Sequence, residues 1–135
     1  MGQGVIPMLA YENGPAAMDW LERAFGFQEL DRRVEDRRLT HGEMDTGGGV
    51  IMLATPSLHY RGPKRHREEC DVARSWHDVP YIIDGVMVYV DDVDAHFQRA
   101  KANGATILSA VEGGGEGKRY RVEDIEGHRW MFMQR

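Results

Sequence analysis

The hydrophobic pattern of the N-terminal part predicts a strand, a helix and later strands. Val5–Tyr11 is a short apolar run, as expected for a strand. Apolar residues then recur at helical spacing over Pro15–Phe25, and the opening proline suits the first helical turn. Gly26 suits the left-handed residue that follows a helix. Two polar, alternating segments come next, and the pattern closes on the apolar strand Val50–Ala54.

The C-terminal part repeats this order. Val86–Val90 is an apolar run, Val93–Asn103 has helical spacing, and Gly104 follows it. The last apolar strand is Arg129–Met133. The remaining predicted strands of the two parts are Gln28–Arg33, Arg38–Asp45, Ala105–Val111 and Arg119–Glu123.

Near-equal intervals between corresponding landmarks indicate an internal duplication. Gly26 and Gly104 are separated by almost the same interval as Met52 and Met131. A repeat of this size predicts two similar modules that pack together, with a small-molecule pocket between them. We place module 1 at about residues 1–55, a connector at 56–84 and module 2 at about 85–135, all within one domain.

Composition narrows the class of protein. Of the 135 residues, 41% are hydrophobic and 29% are charged, which is ordinary for a globular domain. The net charge of −5 argues against a nucleic acid or an anionic membrane as partner. No apolar run is long enough to cross a bilayer, and no signal peptide is recognisable. Cys70 is the only cysteine, so we expect no internal disulfide and a cytoplasmic location.

Three segments carry a resemblance to a known family. They are Ala17–Phe27, Val88–Ala95 and Glu123–Trp130. Together they resemble the vicinal oxygen chelate superfamily, which includes glyoxalase I, bleomycin-resistance proteins and extradiol dioxygenases. The last segment is similar to the family's Asp-Pro-x-Gly-His-x-Trp hairpin, with Ile125 where proline is common. The resemblance implies an α+β fold, in which two βαβββ modules form a U-shaped mixed sheet around a cleft, and a homodimer.

The same resemblance implies where a metal would bind. Metal-dependent members place His, Gln or Glu ligands in the first and last strands of each module. The corresponding positions here are Ile6, Met52, Gly85 or Val86, and Met131. Alkyl and thioether side chains are poor ligands for a hard divalent ion. We therefore expect no metal and no cofactor.

These positions predict an apolar pocket instead. Strand alternation places Ile6 and Met8 on one face of the first strand. We expect both to line the pocket together with Met52, Val86 and Met131. Methionine adapts well to flat or irregular ligands. The alternative is that these side chains fill the interface between the modules.

Two pairs of polar residues are candidates for orienting a ligand. His41 and Glu43 share one face of a predicted strand, which suits either acid–base chemistry or ligand binding. A solvated pair on the outer face is the alternative. Tyr120 and Arg121 follow a glycine-rich loop, where basic residues could contact an anionic or carboxylated ligand. A solvated hairpin is the alternative there.

Two large aromatic residues occur in the connector. Trp76 and Tyr81 suggest a lid over the pocket or a contact between subunits. The alternative is that they anchor the connector to the core.

Two functional hypotheses follow. The first is a metal-free protein that binds a small hydrophobic or aromatic organic molecule in an apolar cleft. The second is a metal-dependent lyase, isomerase or dioxygenase of the same superfamily, with His41 and Glu43 as a possible acid–base pair. The missing ligands favour the first hypothesis, and metal analysis of the purified protein separates the two.

Overall fold

The chain folds into two βαβββ modules. The structure, a computed structural model, describes residues 3–80, 82–114 and 117–135. Its contacts divide the chain into two compact units, with the boundary between Arg61 and Gly62. The predicted α+β fold with two βαβββ modules is confirmed. None of the described helices is long and apolar enough to cross a membrane.

Each unit contains a four-stranded mixed sheet. Unit 1 contains β1 (Met8–Ala10), α1 (Gly14–Phe25), β2 (Gln28–Glu35), β3 (Arg38–Asp45) and β4 (Val50–Ala54). Unit 2 contains α2 (Pro63–Glu69), α3 (Asp71–Arg74), β5 (Gly85–Val90), α4 (Val93–Ala102), β6 (Thr106–Glu112), β7 (Arg119–Glu123) and β8 (Arg129–Gln134). The strand orders are β1-β4-β3-β2 and β5-β8-β7-β6. In each sheet the first pair is parallel and the others are antiparallel.

Local capping fixes the ends of the two longer helices. The Asn13 side chain accepts a hydrogen bond of 3.2 Å from the Ala16 amide at the start of α1. Gly26 ends α1 with a φ of 74°, in the left-handed region. Asp92 caps α4 by accepting a 3.0 Å hydrogen bond from the Ala95 amide. These caps bound the two helices that apolar spacing predicts.

The core of each unit lies between its longer helix and one face of its sheet. In unit 1, Met18 and Leu21 of α1 and Leu53 of β4 are almost fully buried. Gly42 allows this packing, because a Cβ atom at that position would lie 2.8 Å from the Met18 sulfur. Val93, Ala100, Tyr120 and Phe132 are buried in the same way in unit 2.

The structure corrects two element boundaries. The first strand is shorter than predicted, since β1 covers only Met8–Ala10 and Ile6 precedes it. The connector pattern predicts one or two helical turns near Arg67–Ser75, but α2 already begins at Pro63 and α3 follows at Asp71. Most of the connector, from Gly62 onwards, belongs to unit 2.

Candidate functional site

Each sheet has one face that packs on its helix and one that does not, which we call the open face. Directly paired residues on neighbouring strands lie on the same face. In unit 1, Met8 pairs with Met52, which pairs with Glu43, which pairs with Asp31. This row lies on the open face, whereas the neighbouring Leu53 points into the core.

The open face of unit 1 holds an apolar cavity of about 310 Å³. The structure brings together Met8 and Met52 there, as predicted from strand alternation. Its lining is completed by Leu9, Ala10, His41, Leu53, Ala54 and Pro56. Met8 is 79% exposed, so an apolar side chain at the rim remains accessible within this unit. We call this space the module 1 cavity.

The polar group beside the module 1 cavity has three members. His41 Nε2 lies 3.4 Å from a Glu43 carboxylate oxygen, so the two side chains share one face of β3 as strand alternation predicts. Asp31 joins them from β2, and one donor atom from each of the three lies within 4.8 Å of the others. Arg33 also bonds Asp31, at 3.2 Å. All three members are partly exposed.

The open face of unit 2 has the same register. Met87 pairs with Met131, which pairs with Arg121, which pairs with Ser109. Arg121 therefore stands beside Met131 just as Glu43 stands beside Met52 in unit 1. At this matching position, unit 1 has the acidic residue Glu43 and unit 2 has the basic residue Arg121.

A second cavity, of about 330 Å³, lies between this open face and the end of the connector. Met87, Arg121, Arg129 and Met131 line it from the sheet. Pro80, Ile82, Ile83, Asp84, Gly85, Val86 and Trp130 complete the lining. The predicted site residues Val86, Arg121 and Met131 are thus brought together in unit 2. We call this space the module 2 cavity.

A buried ion group forms one wall of the module 2 cavity. Arg129 donates to the Glu123 carboxylate through Nε at 2.8 Å, and both side chains are 3% exposed. Arg67 of α2 donates two hydrogen bonds of 2.9 Å to the same carboxylate. The Arg129 guanidinium also donates to the carbonyls of Val79 and His77. These bonds dock the connector onto the sheet, and we call the three side chains the buried triad.

The structure places Tyr120 away from both cavities. Its side chain is fully buried on the helix-facing side of β7, next to Phe97 of α4. The His96 Nδ1 atom lies 2.6 Å from its hydroxyl oxygen. Burial raises the pKa of the Tyr120 hydroxyl. Tyr120 and Arg121 therefore lie on opposite faces, and we correct the expected position of Tyr120 from the rim to the core.

The other predicted site residues, Ile6, Trp76 and Tyr81, are not among the described lining of either cavity. Ile6 is 41% exposed, precedes β1 and is not part of the module 1 cavity lining. Trp76 is half-buried in unit 2, where its ring contacts His66 edge to face with centroids 6.2 Å apart. It also borders a cavity of about 30 Å³ beside Arg67 and Arg129. Tyr81 lies outside the described residues.

The sequence pattern did not indicate a role for several residues that the structure places at the two cavities. Asp31 comes near His41 through the pairing of β2 with β3, in which the register shifts at two places. The sequence predicts strands that contain Arg129 and Glu123 but indicates no role for their side chains, and it indicates none for Arg67 in the connector. Strand alternation did hold one usable signal, since it places Arg121 and Glu123 on one face and Tyr120 on the other.

The residues at the family's metal positions do not fit a divalent ion. Met52 and Met131 offer thioether sulfur, and Ile6, Gly85 and Val86 offer no donor side chain. The neighbouring Met8 and Met87, which pair with the two methionines, add only more thioethers. The side chains at these positions therefore provide no ligand set for a divalent ion.

The paired βαβββ modules define the class of protein, and sequence comparison gives the family. The sequence profile of the Glyoxalase/Bleomycin resistance protein/Dioxygenase superfamily matches residues 7–132. The chain belongs to this superfamily.

Relatives at two levels of similarity support the assignment. An uncharacterized Mycobacterium tuberculosis protein, Rv0887c, is 33% identical over 130 residues, which cover 95% of this chain and 72% of that protein. The crystal structure of TioX from Micromonospora sp. ML1 is 33% identical, with a TM-score of 0.70 over 98% of this chain and 96% of that chain. TnmS3, an antibiotic binding protein from Streptomyces sp. CB03234, is 16% identical, with a TM-score of 0.61 over 99% of this chain and 98% of that chain. The last similarity concerns the fold alone.

Proposed function

We propose that the protein binds a small hydrophobic or aromatic organic molecule on its open faces, without a metal and without turning it over. The observation that carries this proposal is the lining of the module 1 cavity. Met8, Ala10, Met52 and Ala54 give it an apolar lining, and Met52 stands at a position where the family resemblance places a metal ligand. We further propose that the protein is a cytoplasmic homodimer.

Burial of apolar surface supplies the affinity. Apolar area contributes about 25 cal/mol per Å², so covering ~200 Å² of ligand corresponds to roughly 5 kcal/mol before association costs. Methionine side chains are flexible and polarizable, so a methionine floor accommodates flat ligands of different outline. The antibiotic binding named for TnmS3 is compatible with this class of ligand.

A thermal-shift screen of organic compounds tests the proposal. Three proteins are compared, namely wild type, Met52→Glu and Met52→Leu. A carboxylate in the apolar floor should weaken the best ligands by about tenfold or more, because an unpaired buried charge is costly. Met52→Leu keeps the floor apolar and should retain most of the affinity. Equal stabilisation of all three proteins by every hit would exclude the module 1 cavity as the site.

Binding on unit 2 is examined with the matching pair Met131→Glu and Met131→Leu. Met131 occupies in unit 2 the position of Met52 in unit 1, next to the first strand of its sheet. Ligands that lose affinity with Met131→Glu but not with Met52→Glu are assigned to the module 2 cavity. Ligands sensitive to neither change contradict the proposal.

One observation favours the second candidate, a metal-dependent lyase, isomerase or dioxygenase. Asp31, His41 and Glu43 place a nitrogen and two carboxylates close together beside an apolar cavity. Tag-free protein should be dialysed against Ni²⁺, Zn²⁺, Fe²⁺ or Mn²⁺, desalted and analysed for metal. We expect far less than one ion per chain. About one ion per chain, lost in His41→Ala and in Glu43→Gln, would favour the enzyme.

A further inference from the structure

We propose that the module 2 cavity selects organic anions, so that its ligand carries a carboxylate or similar acidic group beside an apolar body. Arg121 is the residue that pairs with this group. The inference rests on the proposed function, since it specifies the chemical class of ligand for one of the two open faces.

The position of Arg121 is the first step. It lies on the open face in register with Met131 on one side and Ser109 on the other. Its side chain lines the cavity together with Met87 and Met131. A guanidinium beside thioether and alkyl side chains suits a ligand with an acidic end and an apolar body, because charge-assisted bonds strengthen where water is excluded.

The buried triad is the second step. It combines two guanidinium groups with one carboxylate, and its side chains are 14%, 3% and 3% exposed for Arg67, Glu123 and Arg129. Both oxygens of the carboxylate already accept hydrogen bonds. The triad therefore leaves one positive charge in excess behind the wall of the cavity. A buried excess charge favours a ligand of opposite sign.

The charges around the cavity are the third step. Asp84, the acidic residue among the described lining, is exposed and lies at the connector end. Glu112 pairs with Arg119, 3.8 Å away. Together with the buried triad, the other charged side chains of the described lining, Arg121 and Asp84, leave a net charge of one positive unit around the cavity.

The duplication provides an internal contrast. The position of Arg121 corresponds in unit 1 to Glu43, with Asp31 as its partner on the next strand. An acidic row of this kind repels a carboxylate. Anion selectivity should therefore be confined to unit 2, although both open faces have methionines at their centre.

Two probes of the same shape test the inference. 2-Naphthoate is an anion at pH 7.5, and 2-naphthamide is its neutral counterpart. Each is titrated by calorimetry into wild type, Arg121→Gln, Arg121→Lys and Arg119→Gln. Arg119 lies on the same face of β7 but does not line the cavity, so Arg119→Gln is the matched control. Thermal unfolding verifies that each variant is folded.

We expect wild type and Arg119→Gln to bind naphthoate about tenfold more tightly than naphthamide, as one charge-assisted contact predicts. Arg121→Gln should abolish this preference, and Arg121→Lys should restore part of it. Raising the salt concentration should weaken naphthoate more than naphthamide. In spectra of protein labelled at the methionine methyl groups, naphthoate should shift Met87 and Met131 but not Met8 or Met52.

Three other outcomes overturn the inference. Equal binding of both probes to all four proteins contradicts the anion selectivity, while the proposed apolar function stands. If naphthoate shifts only the methyl signals of Met8 and Met52, the anion binds in unit 1, and the inference is rejected. Absence of binding by either probe up to millimolar concentration rejects the inference, and if the compound screen also fails, the proposed function falls with it.

Discussion

The Arg67 guanidinium donates two hydrogen bonds of 2.9 Å to the Glu123 carboxylate, which is 56 residues away in the sequence. Arg129 holds the same carboxylate from the neighbouring strand. One acidic side chain therefore joins the connector helix α2 to the sheet of unit 2. The wall of the module 2 cavity depends on this contact.

Glu123→Gln should destabilise the protein strongly. The change leaves two buried guanidinium groups without a counter-charge, and breaking a buried ion pair costs about 3–5 kcal/mol. The free energy of unfolding in urea measures the loss. Glu112→Gln is the control, since its pair with Arg119 is exposed and should contribute less than about 1 kcal/mol. Similar losses in both variants would show that the buried triad is not held as described.

Gly127→Ala should disrupt the same docking from the other side. Gly127 has a φ of 91°, and a Cβ atom there would lie 2.6 Å from the Lys64 backbone nitrogen. Gly104→Ala is the matched control, because its φ is 86° but no atom lies within 4 Å of the added carbon. Backbone strain alone costs about 1 kcal/mol, and the clash should add about 1–3 kcal/mol. Equal unfolding free energies for the two variants would contradict the close approach.

Tyr120 should make the protein sensitive to alkaline pH. Its pKa is raised in the folded state by burial, so the folded protein holds the phenolic proton more tightly than the unfolded chain. This contribution is complete below pH ~10, the pKa of an unperturbed tyrosine, and is lost as the pH rises further, by up to ~1.4 kcal/mol per pH unit.

Urea unfolding between pH 8.5 and 11 measures the effect as a difference between wild type and Tyr120→Phe. The variant lacks the phenol and the contact with His96, so it should start less stable but decline less steeply above pH 10. Parallel declines would mean that another group causes the alkaline loss.

The proposed homodimer is tested by sedimentation of the 15.4 kDa chain at micromolar concentration. Twofold dimers are the commonest assembly of soluble oligomers, and we expect a species of twice the chain mass. A single 15.4 kDa species over the whole concentration range would reject the dimer.

The sequence by itself determined the two modules and the direction of several side chains. Asn13 and Gly26 mark the two ends of α1. Their capping contacts involve residues only a few positions away, so the local sequence encodes them fully. The two-residue period of a strand brought His41 beside Glu43. The same two-residue period predicts the correct face for Tyr120, because Tyr120 is next to Arg121 and neighbouring strand residues face opposite ways.

Only the tertiary structure decided how the second unit is completed. Docking of the connector buries Arg129 and Glu123, and this depends on contacts with Arg67, far away in the sequence. Strand pairing likewise brought Asp31 to His41, because two register shifts in the β2–β3 ladder set which residues meet. Neither contact can be read from a repeating pattern along the sequence. Each depends on the summed free energy of packing and hydrogen bonding between residues that are far apart in the chain.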